Sequence, residues 1–456
     1  MAINTNKKYT VKEARQSILN KWDWEDPSEN VPIFLWGPIG IGKTQIVQTV
    51  VAERKLFELK KDLEKAEKDL EKVENCKNVK DITSDQADLL MKEKSVIEDR
   101  KSAIEDKINR LSAYDSPKQI ADILEDHLLV LRLAERPIEQ LQGIPAPDWE
   151  NRQTVFLMPE NAQRFAKDTW CVVFIDELDK ADEAKMAAAT HLIEAGHIGD
   201  FALPKDSMII VAANRVKDSY ISKPIVPELR NRAAHIEVYP DVDTWLEWAE
   251  TEIPNKKTGD LEARITKTIR QFHIFCHKCN KPMLHVPDDS PEADMTYPFP
   301  TPRTWHMASN QEKKMERNGA SKEAIIDEIS QFVGEKAATE YRAYFTLYSK
   351  VDVEAILDGK QRIPTKGDKD RNSVISEQYI YAFAICDQLS VDLLKEKSHR
   401  IENLSRAIDD CMPDIRVIIL KFIGSKKNKD ICSLFYANPE GKKIISQFLE
   451  RMKDII

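Results

Sequence analysis

Glycine is scarce in this chain, with 13 among 456 residues. That argues against a β-rich or repeat-turn architecture, whose tight turns rely on residues that accept positive φ. A basic excess is also lacking: 68 Lys and Arg against 77 Asp and Glu give a formal charge of −9. A dedicated nucleic-acid binder normally carries a basic excess or stripe, so nucleic acid is an unfavoured partner. No apolar run approaches the roughly 18 residues a membrane-spanning helix needs, and no membrane insertion is expected. The opening MAINTNKKYTVKEARQ has no hydrophobic segment of the secretory kind. Seven scattered cysteines, an odd number, make no disulfide framework. No repeat of about 20–50 residues recurs. A soluble, reduced, cytoplasmic protein is the expectation.

Charge, in contrast, is plentiful. Charged residues reach 32%, above the usual quarter, which calls for a long solvated helix or a coiled coil. Leu56, Leu59, Leu63, Ala66, Leu70 and Val73 supply one heptad seam, and Leu90, Ile97, Ile104 and Leu111 supply a second, weaker one. The second is weaker because Lys, Glu and Arg fill many of its intermediate positions. A polar break from Asn75 to Ser84 separates them, so an antiparallel helical hairpin is predicted over 56–111. A solvated helical insertion with no partner is the plainer alternative.

Around this segment, strand and helix signals alternate. Thr10-Val-Lys-Glu13 is a capping-box pattern opening a helix to about Trp22, and Asp26–Asn30 has turn composition. Strands are predicted at Ile33–Trp36, Leu128–Leu133, Cys171–Ile175, Met208–Ala212 and His235–Val238, with helical patterns between them such as Asp182–Glu194. That alternation implies a parallel sheet with helices on both faces. From about Val242 strand signals nearly vanish, helical periodicity takes over, and Pro282–Pro302 interrupts it.

Chemistry concentrates at the strand ends. Gly37-Pro-Ile-Gly-Ile-Gly42-Lys43-Thr44 fits G-x-x-x-x-G-K-[ST] between a strand and a helix, the context a P-loop requires. Backbone N–H groups of such a loop wrap phosphates at a helix N-terminus. Lys43 is then placed for the β- and γ-phosphates and the Thr44 hydroxyl for Mg²⁺. The apolar run Cys171–Ile175 ends in Asp176-Glu177. This puts Asp176 near the metal and Glu177 in position to activate water. An ordinary buried strand with an acidic end is the alternative. Asn214, after a third strand, is placed to orient that water. Arg230 and Arg232 precede the last strand, where an arginine can reach a neighbour's γ-phosphate, or can simply satisfy a helix C-terminus. Arg303, opening a later helix, is placed for the γ-phosphate of its own subunit.

Other features are weaker. Cys276-His-Lys-Cys279 with His285 has half a zinc spacing without a second half, and a cysteine packed on a helix is the better reading. Trp245 and Trp248 share one helix face, as core or interface residues do, and Ser425–Lys429 has the composition of a solvated turn.

The order P-loop, Asp-Glu strand, Asn-ended strand and arginine before the last strand resembles AAA+ ATPases, and more narrowly their MoxR-type group. The matching stretches are Phe34–Pro38, Asp176–Ala181, Gly199–Pro204, Ala213–Arg215, Asn231-Arg232 and Phe299–Trp305. Gln142–Pro145 with Met158-Pro159 looks like the group's helix-2 insert, His197–Pro204 like its hairpin before sensor 1, and Val333–Tyr344 like a lid segment. The resemblance covers about residues 10–55 and 125–350.

By residue, it implies Walker A at Gly37, Pro38, Ile39, Gly40, Ile41, Gly42, Lys43 and Thr44, with Gln45 following. Walker B falls on Asp176 and Glu177, sensor 1 on Asn214, the arginine finger on Arg232 or Arg230, and sensor 2 on Arg303. It also implies ATP with Mg²⁺ at the subunit interfaces of a ring, usually hexameric, that works on a protein client. A von Willebrand A-type partner is common in the group. Two departures stand out: Ala233 where the family usually has Phe, and the 56–111 hairpin, which has no counterpart in the common pattern and is a candidate docking element.

The expected architecture is α/β. A parallel-sheet P-loop AAA+ core spans 1–55 and 112–240, with a helical-hairpin (coiled-coil) insertion at 56–111. An all-α lid follows at 241–358 and a C-terminal helical region at 359–456. Two rivals are a nucleotide-gated scaffold with little turnover and a GTP-using, nucleic-acid-associated AAA+ motor.

Overall fold

Near-continuous runs of β-branched and aliphatic residues suit strands covered on both faces, and four such runs lie side by side here. In the computed structural model, which describes residues 7–22, 30–77, 84–113, 119–135, 137–157, 170–198, 201–218, 221–255, 259–286, 297–365 and 371–453, the chain divides into two units, Met1–Arg264 and Ile265–Ile456.

The first unit is built on a six-stranded sheet in the order β1-β10-β2-β9-β6-β3. These strands are β1 (Lys8–Tyr9), β2 (Ile33–Trp36), β3 (Leu128–Arg132), β6 (Val172–Asp176), β9 (Met208–Ala213) and β10 (Ala234–Val238). Every pairing among them is parallel. Alternate residues face opposite sides. Ile33, Leu35, Val172, Phe174, Ile210 and Ile236 enter one core with α1 (Val11–Leu19) and α2 (Lys43–Lys77). Phe34, Leu131, Val173, Ile175 and Val211 enter the other, against Met186, Ala189 and Leu192 of α4 (Glu183–Ala195). The capping box of α1 forms as expected: Glu13 N–H donates to Thr10 Oγ1 at 3.2 Å and Thr10 N–H to Glu13 Oε2 at 2.9 Å. The helix stops at Leu19, short of Trp22, because Trp22 turns into the core and is 2% exposed. Of the turn expected at Asp26–Asn30, only Asn30 is among the described residues.

The hairpin forms, with one correction. Its first arm is no separate insertion but the unbroken continuation of the helix that begins at Lys43. α2 runs 35 residues, through the Asn75–Lys77 stretch assigned to the break, and α3 (Ser84–Ala113) returns. Val73, buried near its far end, keeps the seam helical there. Lys94 reaches Glu74 at 2.8 Å and Lys101 reaches Glu67 at 3.0 Å. The two pairs lie seven residues apart on each arm in opposite directions, which fixes an antiparallel register. Such exposed pairs contribute little stability. At the base, Leu59, Ile104 and Leu111 join the core that α1 and α2 share with the sheet.

That base also holds a cation cage. The Arg54 guanidinium lies 4.5 Å from the Trp22 ring and 4.4 Å from the Trp170 ring, and donates to the Asp206 carbonyl at 3.0 Å. His127 stacks on the other side of this cluster, 4.1 Å from Trp170.

Smaller hairpins decorate the sheet. β4 (Ile144–Asp148) pairs with β5 (Gln153–Leu157), and β7 (His197–Ile198) with β8 (Phe201–Ala202). Met158-Pro159 lies outside the described residues. After α5 (Val242–Glu250), strands do reappear: β11 (Glu252–Pro254) pairs with β12 (Leu261–Ala263), still within the first unit. Strands of three residues are too short to display a hydrophobic period, so nothing in the sequence announces them. Trp245 is buried and its ring lies 6.5 Å from that of Trp248.

Helices Lys267–Lys278, Pro302–Arg317, Lys322–Tyr348, Arg371–Gln388, Ser398–Asp410, Pro413–Ile423 and Pro439–Lys453, with shorter ones between, build the second unit. Its centre is aromatic. His273 lies edge-on to Trp305 at 4.6 Å and Phe272 edge-on to Tyr341 at 5.2 Å. Burial pushes the His273 imidazole down from 6.5 to about 3. The unfolded chain therefore takes up a proton below pH 6.5 that the folded unit refuses. Stability is complete above that value and declines as the pH falls. At pH 5 the expected loss is about 2 kcal/mol. Thermal midpoints at pH 7 and pH 5 should differ less in His273→Phe than in the wild type; equal acid sensitivity would count against this account.

Candidate functional site

Ligands in open parallel sheets gather beyond the carboxyl ends of the strands, and Lys43, Thr44, Asp176 and Asn214 converge there. Between the end of β2 at Trp36 and the start of α2 at Lys43 runs the Gly37–Gly42 loop. Gly37 is obligatory on steric grounds: a Cβ there would lie 2.6 Å from the Val238 carbonyl oxygen of β10. Gly40 and Gly42 adopt φ of 79° and 99°. Ile41 is buried beneath the loop while Ile39 points outward. Ile46 N–H makes the first turn's bond to the Gly42 carbonyl at 2.9 Å. The N–H groups of Lys43, Thr44 and Gln45 therefore stand at the open end of a long helix, where its dipole favours an anion.

Lys43 Nζ is the hub. It donates to the carbonyls of Gly37 (2.5 Å) and Pro38 (3.1 Å) and to Asn214 Oδ1 (2.8 Å). Burial lowers its pKa to about 8, against the attraction of Asp179, Asp176, Asp218 and Glu177. Thr44 Oγ1 donates to Asp176 Oδ2 at 3.4 Å. Burial, then the neighbouring Glu177, raise the Asp176 pKa, which a cation at this carboxylate would relieve. Arg132 Nε stands 3.8 Å from the same oxygen.

Glu177 adopts left-handed backbone angles, φ 57° and ψ 40°, and its Oε1 accepts from Lys180 Nζ at 2.7 Å. Non-glycine residues in that region carry about 1 kcal/mol or more of strain and cluster at functional sites. Asn214, following β9, is 5% exposed. Arg215 beside it pairs with Asp218 and Glu237.

Arg232 and Arg230 have other partners. Arg232 donates to the Glu228 carbonyl at 3.0 Å and to Glu194 Oε1 at 3.2 Å. Arg230 is exposed, and its carbonyl faces His235 Nε2 at 2.7 Å. Arg303 belongs to the second unit, exposed in the first turn of Pro302–Arg317 behind the Thr301 cap.

The structure thus gathers the loop, Thr44, Asp176 and Asn214, with Glu177 adjoining Asp176, while Arg230 and Arg232 have partners outside this set. Three contributors escaped sequence reasoning: Arg132, Asp179 and Lys180. Arg132 alone carried a signal, since it is the polar end of the β3 run and pairs in register with Asp176.

For a metal, the fit is of one kind. Among the described residues no group of three or more His, Cys, Asp or Glu is disposed to hold an ion. Mg²⁺ typically takes one or two protein oxygens and fills its octahedron with phosphate and water, with adjacent ligands about 3 Å apart. The Thr44 and Asp176 oxygens, at 3.4 Å, fit that requirement. Elsewhere, Cys276 is 3% exposed within the second unit and Cys279 Sγ lies 3.2 Å from Ser376 Oγ. Among the described residues no helix is long and apolar enough to cross a membrane. No protein-family model matches the chain, and no curated protein matches it.

Proposed function

We propose that the first unit binds ATP with Mg²⁺ at the Gly37–Thr44 loop and hydrolyses it, as an AAA+ ATPase of MoxR type that remodels or assembles a protein client. The observation that carries this reading is the convergence of Lys43 Nζ, Asn214 Oδ1, Thr44 Oγ1 and Asp176 Oδ2 at the carboxyl ends of three neighbouring parallel strands. Loop N–H groups and Lys43 bind the phosphates, and Thr44 and Asp176 hold the ion. Mg²⁺ when bound neutralises charge on the β- and γ-phosphate oxygens. Glu177 takes a proton from water as the water oxygen bonds to the γ-phosphorus, while the bond to the β-phosphate oxygen breaks and ADP leaves.

Arg232, or the exposed Arg230, serves a neighbouring subunit's γ-phosphate in a homo-oligomeric ring, and the sensor 2 role of Arg303 rests on resemblance alone. The 56–111 hairpin docks a partner. The ring, its hexameric size and a von Willebrand A-type partner rest on resemblance to the MoxR-type group. So does ATP over GTP.

Lys43→Ala tests the placement. Loss of a charge-assisted contact to phosphate should weaken ATP–Mg²⁺ binding about 30-fold, or roughly 2 kcal/mol, in titrations with a fluorescent ATP analogue. Unchanged affinity would remove the nucleotide from this loop. Molecular-mass measurements with and without ATP–Mg²⁺ test the ring, and a nucleotide-independent monomer would eliminate it.

A further inference from the structure

Asp179 sits in the short 3₁₀ turn Leu178–Lys180, two residues beyond Glu177, and is 0% exposed. Its oxygens accept three hydrogen bonds. Oδ1 takes the Asn214 backbone N–H at 3.0 Å; Oδ2 takes Asn214 Nδ2 at 3.2 Å and Ser222 Oγ at 2.5 Å. Its carbonyl accepts the Lys223 N–H at 2.8 Å, and Lys223 Nζ donates to the Ala181 carbonyl at 3.3 Å.

The neighbours of the Asn214 carboxamide decide which of its ends is oxygen. An ionised carboxylate only accepts hydrogen bonds and an ammonium only donates them. Asn214 lies between one of each: Asp179 on its Nδ2 side and Lys43 Nζ, 2.8 Å away, on its Oδ1 side. Turning the amide over would set oxygen against carboxylate and NH₂ against ammonium, losing both bonds and adding two repulsions.

We infer that Asp179 is a positioning residue that fixes Asn214 with its carboxamide oxygen toward the Lys43 side of the site. Asn214 then acts there as a hydrogen-bond acceptor, for Lys43 and for the attacking water, and its donor end is spent on Asp179. This rests on the ATPase reading for its catalytic consequence, though the orientation itself does not depend on turnover.

The test is a double-mutant cycle on the full chain. Asp179→Asn keeps the shape but lets the Asn214 amide turn over. The expected result is a fall in kcat of about tenfold or more, with ATP–Mg²⁺ affinity within threefold of wild type. Asn214→Ala should give a similar fall, and the double variant should lose no more than either single one. Ser222→Ala, which leaves both Asn214 bonds in place, should stay within twofold. Wild-type kcat in Asp179→Asn, or losses that multiply in the double variant, would overturn the inference.

A second readout needs no turnover. In protein labelled with ¹⁵N-asparagine, the Asn214 NH₂ pair, identified by its disappearance in Asn214→Ala, should be protected from solvent exchange in the wild type and should shift in Asp179→Asn. Free-amide exchange in the wild type overturns the inference even where Asp179→Asn fails to fold. A protected pair in a wild type that hydrolyses no ATP leaves the orientation standing and sinks the ATPase reading alone.

Discussion

Glu177→Gln should cut ATP turnover by about 10²–10³-fold while leaving ATP–Mg²⁺ affinity within threefold of wild type. The residue follows the last position of β6, in a left-handed conformation that sets it off from the strand direction. Its carboxylate is exposed enough to exchange partners, and in this structure its partner is Lys180 at 2.7 Å. Glutamine keeps the length and still accepts from Lys180, but an amide does not take up a proton near neutral pH. Binding survives because the phosphate and metal groups assigned above are others: Lys43, Thr44, Asp176 and the loop N–H groups. A variant that retains ATP without turning it over should accumulate in whatever assembly ATP promotes. Turnover above a tenth of wild type would strip Glu177 of its role as base.

Arg54→Ala should destabilise the first unit by about 3 kcal/mol, lowering its thermal midpoint by roughly 6–12 °C. The guanidinium lies against both the Trp22 and Trp170 rings, which meet edge-on at 5.4 Å, and its side chain is 4% exposed. Burial works against its charge, and Glu58 and Asp206 support it. Truncation removes two aromatic contacts and leaves the rings facing a gap. Asp206, 45% exposed, is rehydrated at little cost. Arg54→Lys should recover less than half of the loss, since an ammonium has no planar face to lie against the rings. Scanning calorimetry decides the matter, and a shift below about 2 °C would show that the cage is not structurally important.

Both predictions draw on residues of very different legibility. The core strands were readable within about a residue at each end, because a strand buried on both faces is apolar at every position. The strand–loop–helix turn at Gly37–Thr44 was readable because its geometry is local, confined to eight consecutive residues. Arg54 was not. In sequence it is one more cation at the entry to a charged helix, and only the return of the chain at Trp170 and Asp206 encloses it. Asp179 and Lys180 were hidden likewise, within an acidic stretch where Asp176 and Glu177 drew the attention. Asp179 becomes distinct once β9 brings Asn214 beside it. The hairpin arms were legible from their heptads, but their root in the core was not, since Leu59, Ile104 and Leu111 look like any other seam positions.

The unbroken α2 has a mechanical consequence. At 1.5 Å per residue, Lys43 lies about 16 Å to one side of Arg54 along the helix, and Lys77 about 35 Å to the other. Arg54 is held against the edge-on Trp22 and Trp170 rings, and a tilt of the helix about that point would have unequal arms, the shorter toward the Gly37–Gly42 loop. A shift of about 1 Å at Lys43, pivoted there, becomes about 2 Å at the far end, in the opposite direction. Pairing with α3 stiffens the long arm against bending, so the motion arrives as a swing.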